Sequence, residues 1–218
     1  EDINAIGGWV ITKVEKTGKN GGYTSLARDS LGKTHICFYD GVNLKYSTNE
    51  SGSDWKTESV DKAENVGMYA SIALDASNNA HISYYDARNG NLKYATNATG
   101  SWVTSIIDSS GDVGLYTSIA IDTSGNAHIS YYYSSGSDLK YATNASGSWV
   151  ITPVDYDGDV GMYTSIALDT SDNARISYYD QENGDLKYAT NASCAWVTTT
   201  VDNSSREVGW FTDIALDT

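Results

Sequence analysis

Short apolar or alternating runs, separated by polar turns, recur along the whole chain. Between residues 68 and 108 these runs fall at 69–74, 81–85, 92–96 and 102–107. The segments between them are rich in Asn, Asp and Gly, which are the residues that tight turns prefer. Runs of about five to seven residues bounded by such turns predict β-strands joined as hairpins. This stretch of the chain therefore predicts four antiparallel strands.

The same unit of four runs repeats every 46 or 47 residues. Its first run is a seven-residue segment with the pattern Tyr-Ala/Thr-Ser-Ile-Ala-Leu/Ile-Asp. The segment begins at Tyr69, Tyr116 and Tyr163, and a diverged version begins at Tyr23. A small four-stranded sheet has two faces to cover, and neighbouring sheets of an array can cover both. The pattern therefore predicts an all-β fold, a β-propeller built of four-stranded antiparallel blades.

The repeat predicts one continuous array with four full blades. The first strand of each unit has the smallest side chains, so we place it next to the central axis and the tryptophan-containing fourth strand at the rim. The predicted blades are residues 22–61, 67–108, 114–155 and 161–202. Residues 1–21 match an outer strand and residues 209–218 match an inner strand, which predicts a split and incomplete fifth blade. Because its middle strands are missing, we expect a fragment of a larger propeller or a homo-oligomer formed through the incomplete blade edges.

Charge and composition exclude several classes of partner. The net charge is −14 and the isoelectric point is about 4.3. An acidic chain with no basic patch repels phosphate groups, so we expect neither nucleic-acid binding nor membrane insertion. The chain begins at Glu1 without a methionine and has no long apolar run, which favours a processed, secreted or cell-surface protein. Cys37 and Cys194 occupy unrelated positions of the repeat, so we expect two free thiols.

Histidine occupies one position of the repeat in three units, and arginine replaces it in the fourth. These residues are His35, His81, His128 and Arg175. Equivalent positions on neighbouring sheets lie about 10 Å apart, too far for a shared metal ion. We therefore expect each histidine to pack between blades and to bond a backbone group, and we expect no cofactor. The acidic turn at residues 155–159 leaves Ca²⁺ as an alternative, although it lacks a complete calcium-binding loop.

Aromatic side chains supply the candidate binding site. Four tryptophans and four tyrosines recur in phase: Trp55, Trp102, Trp149, Trp196, Tyr46, Tyr94, Tyr141 and Tyr188. Sugars stack their apolar faces on such rings while acidic and amide groups bind the hydroxyls, and the matching acids are Asp40, Asp86 and Asp180. Weak sites repeated around a ring would gain avidity. The alternatives are that the rings only fill the layers between blades and that the aspartates only cap turns.

The hairpin at residues 119–132 carries a characteristic turn with Asp122, Gly125 and Asn126. It resembles the Asp-x-x-Gly-Asn hairpins of bacterial secreted propeller repeats, those grouped with Asp-box or NHL-like blades and with lectin-like propellers. The resemblance covers nearly the whole chain and implies a blade but no single activity, because such propellers include lectins, glycosidases, adhesive modules and scaffolds. The sequence lacks a full Ser-x-Asp-x-Gly-x-x-Thr-Trp box, and its four arginines are scattered, which does not support a sialidase-like arginine triad.

These observations favour an extracellular, non-enzymatic propeller that binds glycans or another surface ligand through repeated inter-blade sites. The first alternative is a structural or self-assembling surface protein. A glycosidase is a further alternative, but it requires one unique pair of carboxylates in unlike environments. The acids of this chain instead repeat in phase, and the most divergent unit, residues 22–61, shows no such pair.

Overall fold

The computed structural model describes residues 4–6, 9–14, 21–51, 54–204 and 207–217, and all regular structure in them is β-strand. An antiparallel pair, β1 (Asn4–Ile6) and β2 (Trp9–Ile11), comes first. The first four-stranded sheet contains β3 (Gly22–Arg28), β4 (Thr34–Tyr39), β5 (Leu44–Ser51) and β6 (Asp54–Asp61). The second contains β7 (Val66–Leu74), β8 (Ala80–Asp86), β9 (Asn91–Thr96) and β10 (Val103–Asp108). The third contains β11 (Val113–Ile121), β12 (Ala127–Tyr133), β13 (Asp138–Thr143) and β14 (Val150–Asp155). The fourth contains β15 (Val160–Leu168), β16 (Ala174–Asp180), β17 (Asp185–Thr190) and β18 (Val197–Asp202).

Each sheet pairs its four strands antiparallel in chain order, which confirms the predicted all-β architecture of four-stranded units. We refer to these sheets as blades 1 to 4. Their first strands, β3, β7, β11 and β15, pack side by side in series. Among the described residues, the four sheets do not close into a ring and no fifth blade is formed. None of the described residues forms a helix, so none forms one that could cross a membrane.

The turns between strands are held by side chains that repeat from blade to blade. In blade 2, the Oδ1 atom of Asp75 accepts hydrogen bonds from the backbone amides of Ser77 and Asn79, both at 2.8 Å. The Oδ1 atom of Asn97 accepts the amide of Ala80 at 2.7 Å, which joins the third turn to the start of β8. Short polar side chains that bond to nearby backbone in this way are the reason why Asp and Asn mark turns.

The blades pack closely because a glycine meets the preceding blade. Gly114 has a φ of 102°, and a Cβ atom there would lie 2.8 Å from the Cα atom of Leu92. Gly67 and Gly161 repeat the arrangement against Leu44 and Leu139. Only a residue without a side chain allows both this backbone conformation and this approach. The leucines beneath these glycines are completely buried.

A buried ionic contact also joins successive blades. At the end of the outer strands of blades 1 to 3, an aspartate accepts a hydrogen bond from a tyrosine hydroxyl and forms an ion pair with a lysine, both on the next blade. Asp108 thus contacts the Tyr131 hydroxyl at 2.8 Å and the Lys140 ammonium at 3.3 Å. The same contact is made by the sets Asp61, Tyr84 and Lys93 and Asp155, Tyr178 and Lys187. The three tyrosines are completely buried, so the contact lies within the packed layer between blades.

The outward faces of blades 1 and 4 are not packed against a neighbouring blade. Leu26 in β3 is 62% exposed, whereas Ile72, its equivalent in β7, is 6% exposed. Val201 in β18 is 61% exposed, whereas Ile107 in β10 is 8% exposed. The same apolar positions are therefore core inside the array and surface at its two ends.

The two chain ends were predicted to supply strands of a split fifth blade. Residues 209–218 were expected to form an inner strand, and residues 209–217 carry no regular strand in the structure. They still follow the path of an inner strand: the amide of Ile214 lies 3.4 Å from the Ser165 hydroxyl, as the amide of Ile166 lies 3.2 Å from that of Ser118. Residues 1–21 were expected to supply one outer strand; their described part contains β2 on the predicted segment and a second strand, β1, before it. Residues 1–3, 7, 8, 15–20 and 218 of these segments lie outside the described residues.

Candidate functional site

A row of aromatic rings crosses all four blades near the start of their inner strands. It consists of Tyr23, Tyr69, Tyr116 and Tyr163, and we refer to these four residues as the tyrosine row. The centroids of successive rings lie 4.7, 4.8 and 4.6 Å apart, with interplanar angles of 50–59°. Tilted aromatic contacts at such distances are favourable. The row therefore forms one continuous aromatic surface across the blades.

Each tyrosine of the row has a left-handed backbone conformation. The φ angles are 51°, 53°, 53° and 52° from Tyr23 to Tyr163. In blade 3, the pairing of β11 with β12 shifts register between Leu115 and Ser118, on either side of Tyr116. A bulky residue with positive φ is a true outlier, and backbone strain of this kind concentrates at functional sites. The repeated strain therefore marks the tyrosine row as a candidate site.

The rings of the row are accessible to solvent. Tyr23 is 44% exposed, and the other three are partly buried by their neighbours. Beyond blade 4 the row continues with Phe211, which is 75% exposed, has a φ of 55° and lies 4.5 Å from Tyr163. Trp210 is 47% exposed and stacks on Tyr163 at 5.6 Å with an interplanar angle of 24°. A ligand would therefore meet aromatic faces along the whole row.

A second set of tyrosines lies beneath the row and reaches the next blade. Tyr85 lies 6.3 Å from Tyr69, and its hydroxyl donates to Asp112 Oδ1 at 2.5 Å. Tyr132 donates to Asp159 Oδ1 at 2.7 Å, and Tyr39 donates to Asn65 Oδ1 at 2.9 Å. We define an inter-blade groove as two successive tyrosines of the row together with one tyrosine of the second set and the Asp or Asn side chain that accepts its hydroxyl. Groove 1 contains Tyr23, Tyr69, Tyr39 and Asn65; groove 2 contains Tyr69, Tyr116, Tyr85 and Asp112; groove 3 contains Tyr116, Tyr163, Tyr132 and Asp159.

Two phenols of the grooves, Tyr116 and Tyr132, are held in the neutral form. Burial, the charges of Tyr69 and Tyr163 and their hydrogen bonds raise the pKa of Tyr116. Burial and the hydrogen bond to Asp159 raise the pKa of Tyr132 to about 12. Neutral phenols keep their hydroxyl proton and can donate it. Each groove therefore combines partly exposed aromatic faces with an oxygen acceptor, the combination that suits a polyhydroxylated ligand.

The tryptophans and tyrosines that the sequence predicted as a binding site do contact one another, but they lie at the end of the blades opposite to the tyrosine row. Tyr46, Tyr94 and Tyr141 are buried, and each meets the tryptophan of the next blade edge-on. The Tyr46–Trp102 centroid distance is 5.1 Å, and the Trp102 indole also donates to Glu58 at 2.7 Å. Trp149 and Trp196 make the same contact, and Trp55 donates to Thr12 at 3.3 Å. These tyrosines are part of the packed layer, and the tryptophans are partly buried against them.

Each buried tyrosine of that layer is bonded to the histidine of its own blade. The Nδ1 atom of His81 lies 2.5 Å from the Tyr94 hydroxyl, and its Nε2 atom lies 3.3 Å from Asp75. In blade 4, Arg175 replaces the histidine and donates to both Tyr188 and Asp169 at 2.8 Å. His35 and His128 repeat the arrangement of His81. The partners are thus side chains, whereas the sequence predicted backbone groups.

The predicted acidic residues cap turns. Asp40 accepts the amides of Val42 and Asn43 at 2.9 and 2.7 Å. Asp86 and Asp180 likewise accept amides from their own turns. In the acidic turn at residues 155–159, Asp155 contacts Tyr178 and Lys187, and Asp159 contacts Tyr132. Within the described residues, no group of three His, Cys, Asp or Glu side chains could hold a metal ion.

The sequence contained a signal for the tyrosine row. A tyrosine opens the seven-residue segment of every unit, although the small residues after it predicted only an inner strand. Inner strands packed around an axis favour small side chains, so a tyrosine at the start of every such strand indicates a different role for that position. The left-handed backbone that turns the ring outward is not visible in a single sequence.

Comparison with known proteins places the fold. No known family matches the sequence, and no curated protein matches it. A lectin from Aleuria aurantia, solved with α-methyl-L-fucoside, is 15% identical; the match covers 82% of this chain and 60% of that chain, with a TM-score of 0.59. A polysaccharide lyase of family PL25, an ulvan lyase, is 12% identical, with 89% and 61% coverage and a TM-score of 0.59. A protein of unknown function from Dyadobacter fermentans is 9% identical, with 81% and 68% coverage and a TM-score of 0.61.

These similarities support a β-propeller fold. At such low identities they show the fold alone. The chain spans 61% of the ulvan lyase and 60% of the lectin. Because no family matches, the finer resemblance to Asp-box or NHL-like repeats stays a prediction.

Proposed function

We propose that this protein binds glycans without cleaving them, through the three inter-blade grooves along the tyrosine row. The observation that carries the proposal is the row itself, four strained and accessible tyrosines at equivalent positions of successive blades. Sugar rings stack on aromatic faces, and the oxygen atoms of Asn65, Asp112 and Asp159 can accept from hydroxyls. Three similar grooves on one surface would give avidity for a repeating polymer. This proposal moves the ligand-binding role from the predicted tryptophan sites to the other end of the blades.

The repetition of the grooves supports binding over catalysis. A glycosidase needs two carboxylates with different roles, one protonated and one ionised, at a set separation. Asp112 and Asp159 occupy equivalent positions, and each already accepts a tyrosine hydroxyl. The neighbours in structure include a lectin and a lyase, so both classes are compatible with the fold. An extracellular location is part of the proposal, because polymeric glycans are met outside the cell or at its surface.

The test is a glycan array probed with the wild-type protein and with Tyr116→Asn. Asparagine tolerates a left-handed backbone, so this variant removes the ring shared by grooves 2 and 3 without new strain. We expect the wild type to bind a defined class of glycan and Tyr116→Asn to lose most of the signal. Tyr156→Asn is the matched control, because Tyr156 is 73% exposed but lies outside the row.

Two results would overturn this proposal. If the wild type binds no glycan on the array, the proposed glycan binding is wrong. If Tyr116→Asn binds as strongly as the wild type, the grooves are not the binding site. Release of reducing ends from a bound polymer, followed over several hours, would contradict the non-enzymatic part. The same incubation without protein provides the baseline.

Self-assembly is the second candidate function, and the open faces of blades 1 and 4 favour it. These faces expose Leu26 and Val201, whose equivalents are buried between blades. Faces of different kind at the two ends would associate head to tail. Analytical ultracentrifugation over a hundredfold range of protein concentration would show growing oligomers if this role is correct. A constant monomer would exclude it.

A further inference from the structure

We infer that grooves 2 and 3 select glycans that carry protonated amino groups, such as de-N-acetylated hexosamine polymers, over neutral and uronic-acid glycans. This inference rests on the proposed function and specifies its ligand class. It follows from the charge of the groove acceptors and from the aromatic faces beside them. The ammonium groups of the ligand would lie over the row tyrosines and beside Asp112 and Asp159.

The two carboxylates retain capacity to accept a ligand. Asp112 uses Oδ1 for the Tyr85 hydroxyl, and Asp159 uses Oδ1 for the Tyr132 hydroxyl. A carboxylate offers about four acceptor positions, so one phenol does not saturate it. Both aspartates are partly exposed, whereas Tyr85 and Tyr132 are buried beneath them. The buried phenols therefore position the carboxylates without closing them to solvent.

The two carboxylates differ from the other inter-blade acids in their charge partners. Among the described residues, no basic side chain forms an ion pair with Asp112 or Asp159. The buried acids Asp61, Asp108 and Asp155, in contrast, each pair with a lysine of the next blade. Three lysines thus form ion pairs between blades, whereas no described ion pair involves the acids of the grooves. A cation is attracted to such a surface, and a uronate is repelled.

The aromatic faces favour the same ligands. An ammonium group within about 6 Å of a tyrosine centroid is attracted by the negative face of the ring. The protein itself shows this contact, because Lys140 Nζ lies 3.9 Å above the Tyr133 ring. An amino sugar can place its apolar face and its ammonium group against neighbouring row tyrosines, whose centroids are 4.6–4.8 Å apart in these grooves.

Groove 1 is a built-in comparison. It has the same tyrosine geometry, but its acceptor is the neutral Asn65, which takes the Tyr39 hydroxyl at 2.9 Å. Asn65, whose φ is 63°, thus shows that an asparagine amide can replace the carboxylate as acceptor of this phenol. The variants Asp112→Asn and Asp159→Asn would convert grooves 2 and 3 to the chemistry of groove 1 with little change of shape.

The experiment is isothermal titration calorimetry with two soluble hexamers, glucosamine and N-acetylglucosamine, at a pH where the amines are protonated. We expect the wild type to bind the glucosamine hexamer about tenfold more tightly, with an affinity that falls as salt is added. The double variant Asp112→Asn/Asp159→Asn should lose this preference. The control is Asp54→Asn, because Asp54 is an exposed acid at the start of β6, at the end of the blade away from the row.

The outcomes separate this inference from the proposed function. Equal affinity of the wild type for both hexamers, or a preference that persists in the double variant, would overturn the amine selectivity and leave glycan binding intact. A stronger response to an oligouronate than to glucosamine would overturn it as well. Absence of binding to both hexamers, together with silence on the glycan array, would overturn both the selectivity and the proposed function.

Discussion

The tyrosines of the row hold a backbone conformation that their side chains disfavour. A left-handed conformation costs an L-residue roughly 1–2 kcal/mol, and glycine avoids this cost. Each ring gains contacts in return, such as those of Tyr116 with Tyr69, Tyr132 and Tyr163. The strain therefore persists because neighbouring rings on both sides hold the side chain.

The strain can be measured by comparing two truncations at Tyr116. Tyr116→Ala and Tyr116→Gly both remove the ring, but only alanine keeps a Cβ atom in the left-handed conformation. We expect the glycine variant to be more stable by about 1 kcal/mol in urea unfolding. At Tyr94, which lies in regular strand, the order should reverse. If glycine is more stable than alanine at both sites, or less stable at both, the backbone at Tyr116 is not strained.

His81 gives the protein a pH-dependent stability. Burial lowers the pKa of His81 from 6.5, and the hydrogen bond to Asp75 offsets part of this shift. The unfolded chain then binds a proton more readily than the folded one. Stability from this group is complete above about pH 6.5 and is lost as the pH falls through the lower, folded-state pKa.

The variant His81→Gln tests this effect, because glutamine can accept from Tyr94 and donate to Asp75 without titrating. The urea midpoint of the wild type should fall between pH 7 and pH 5, and that of His81→Gln should fall less. His35 and His128 are present in both proteins, so the difference reports His81 alone. An identical fall in the two proteins would show that His81 does not contribute.

At the scale of strands and blades, the ion pair at the end of the outer strands of blades 1 to 3 is the contact that most clearly joins neighbouring blades. Burial opposes ionisation of Asp108, but hydrogen bonds from Ser110 and Tyr131 and the charge of Lys140 lower its pKa overall. Its equivalent in blade 4, Asp202, is partly exposed at the open end of the array, where it accepts the Ser204 amide at 2.8 Å.

The variants Asp108→Ala and Asp202→Ala should therefore differ strongly. Removing Asp108 leaves Lys140, whose side chain is only 13% exposed, without its charge partner and should cost about 3 kcal/mol. Removing Asp202 loses a turn bond and should cost at most about 1 kcal/mol. Equal losses in urea unfolding would show that the contact between blades adds nothing to stability. Asp108→Ala combined with Lys140→Met should recover part of the loss, since no buried charge remains.

The repeat predicted the elements well where each strand has neighbours. Runs bounded by Asp, Asn and Gly turns predicted the four strands of each blade, because local turn chemistry and period are both visible in sequence. The segment at residues 209–217 has the same pattern but no strand, because pairing depends on a partner that pattern alone does not supply. The predicted tryptophan and tyrosine sets did meet, but sequence could not show that Tyr46, Tyr94 and Tyr141 are buried.

At the scale of the whole molecule, four blades present the tyrosine row as one surface. Tyr69 and Tyr116 each belong to two grooves, whereas Tyr23 and Tyr163 each belong to one. A linear polymer can therefore contact several grooves at once, and the apparent affinity rises with the number engaged. The two ends of the array remain open, as the exposure of Leu26 and Val201 shows.

The most direct test of this account is an NMR titration of the protein, labelled at tyrosine rings and tryptophan indoles, with the oligosaccharide that binds best on the array. The grooves predict shifts of the Tyr23, Tyr69, Tyr116 and Tyr163 ring signals, while the Trp102 and Trp149 indole signals stay in place. Shifts of the indole signals with an unchanged tyrosine row would contradict the account and locate the site at the opposite end of the blades.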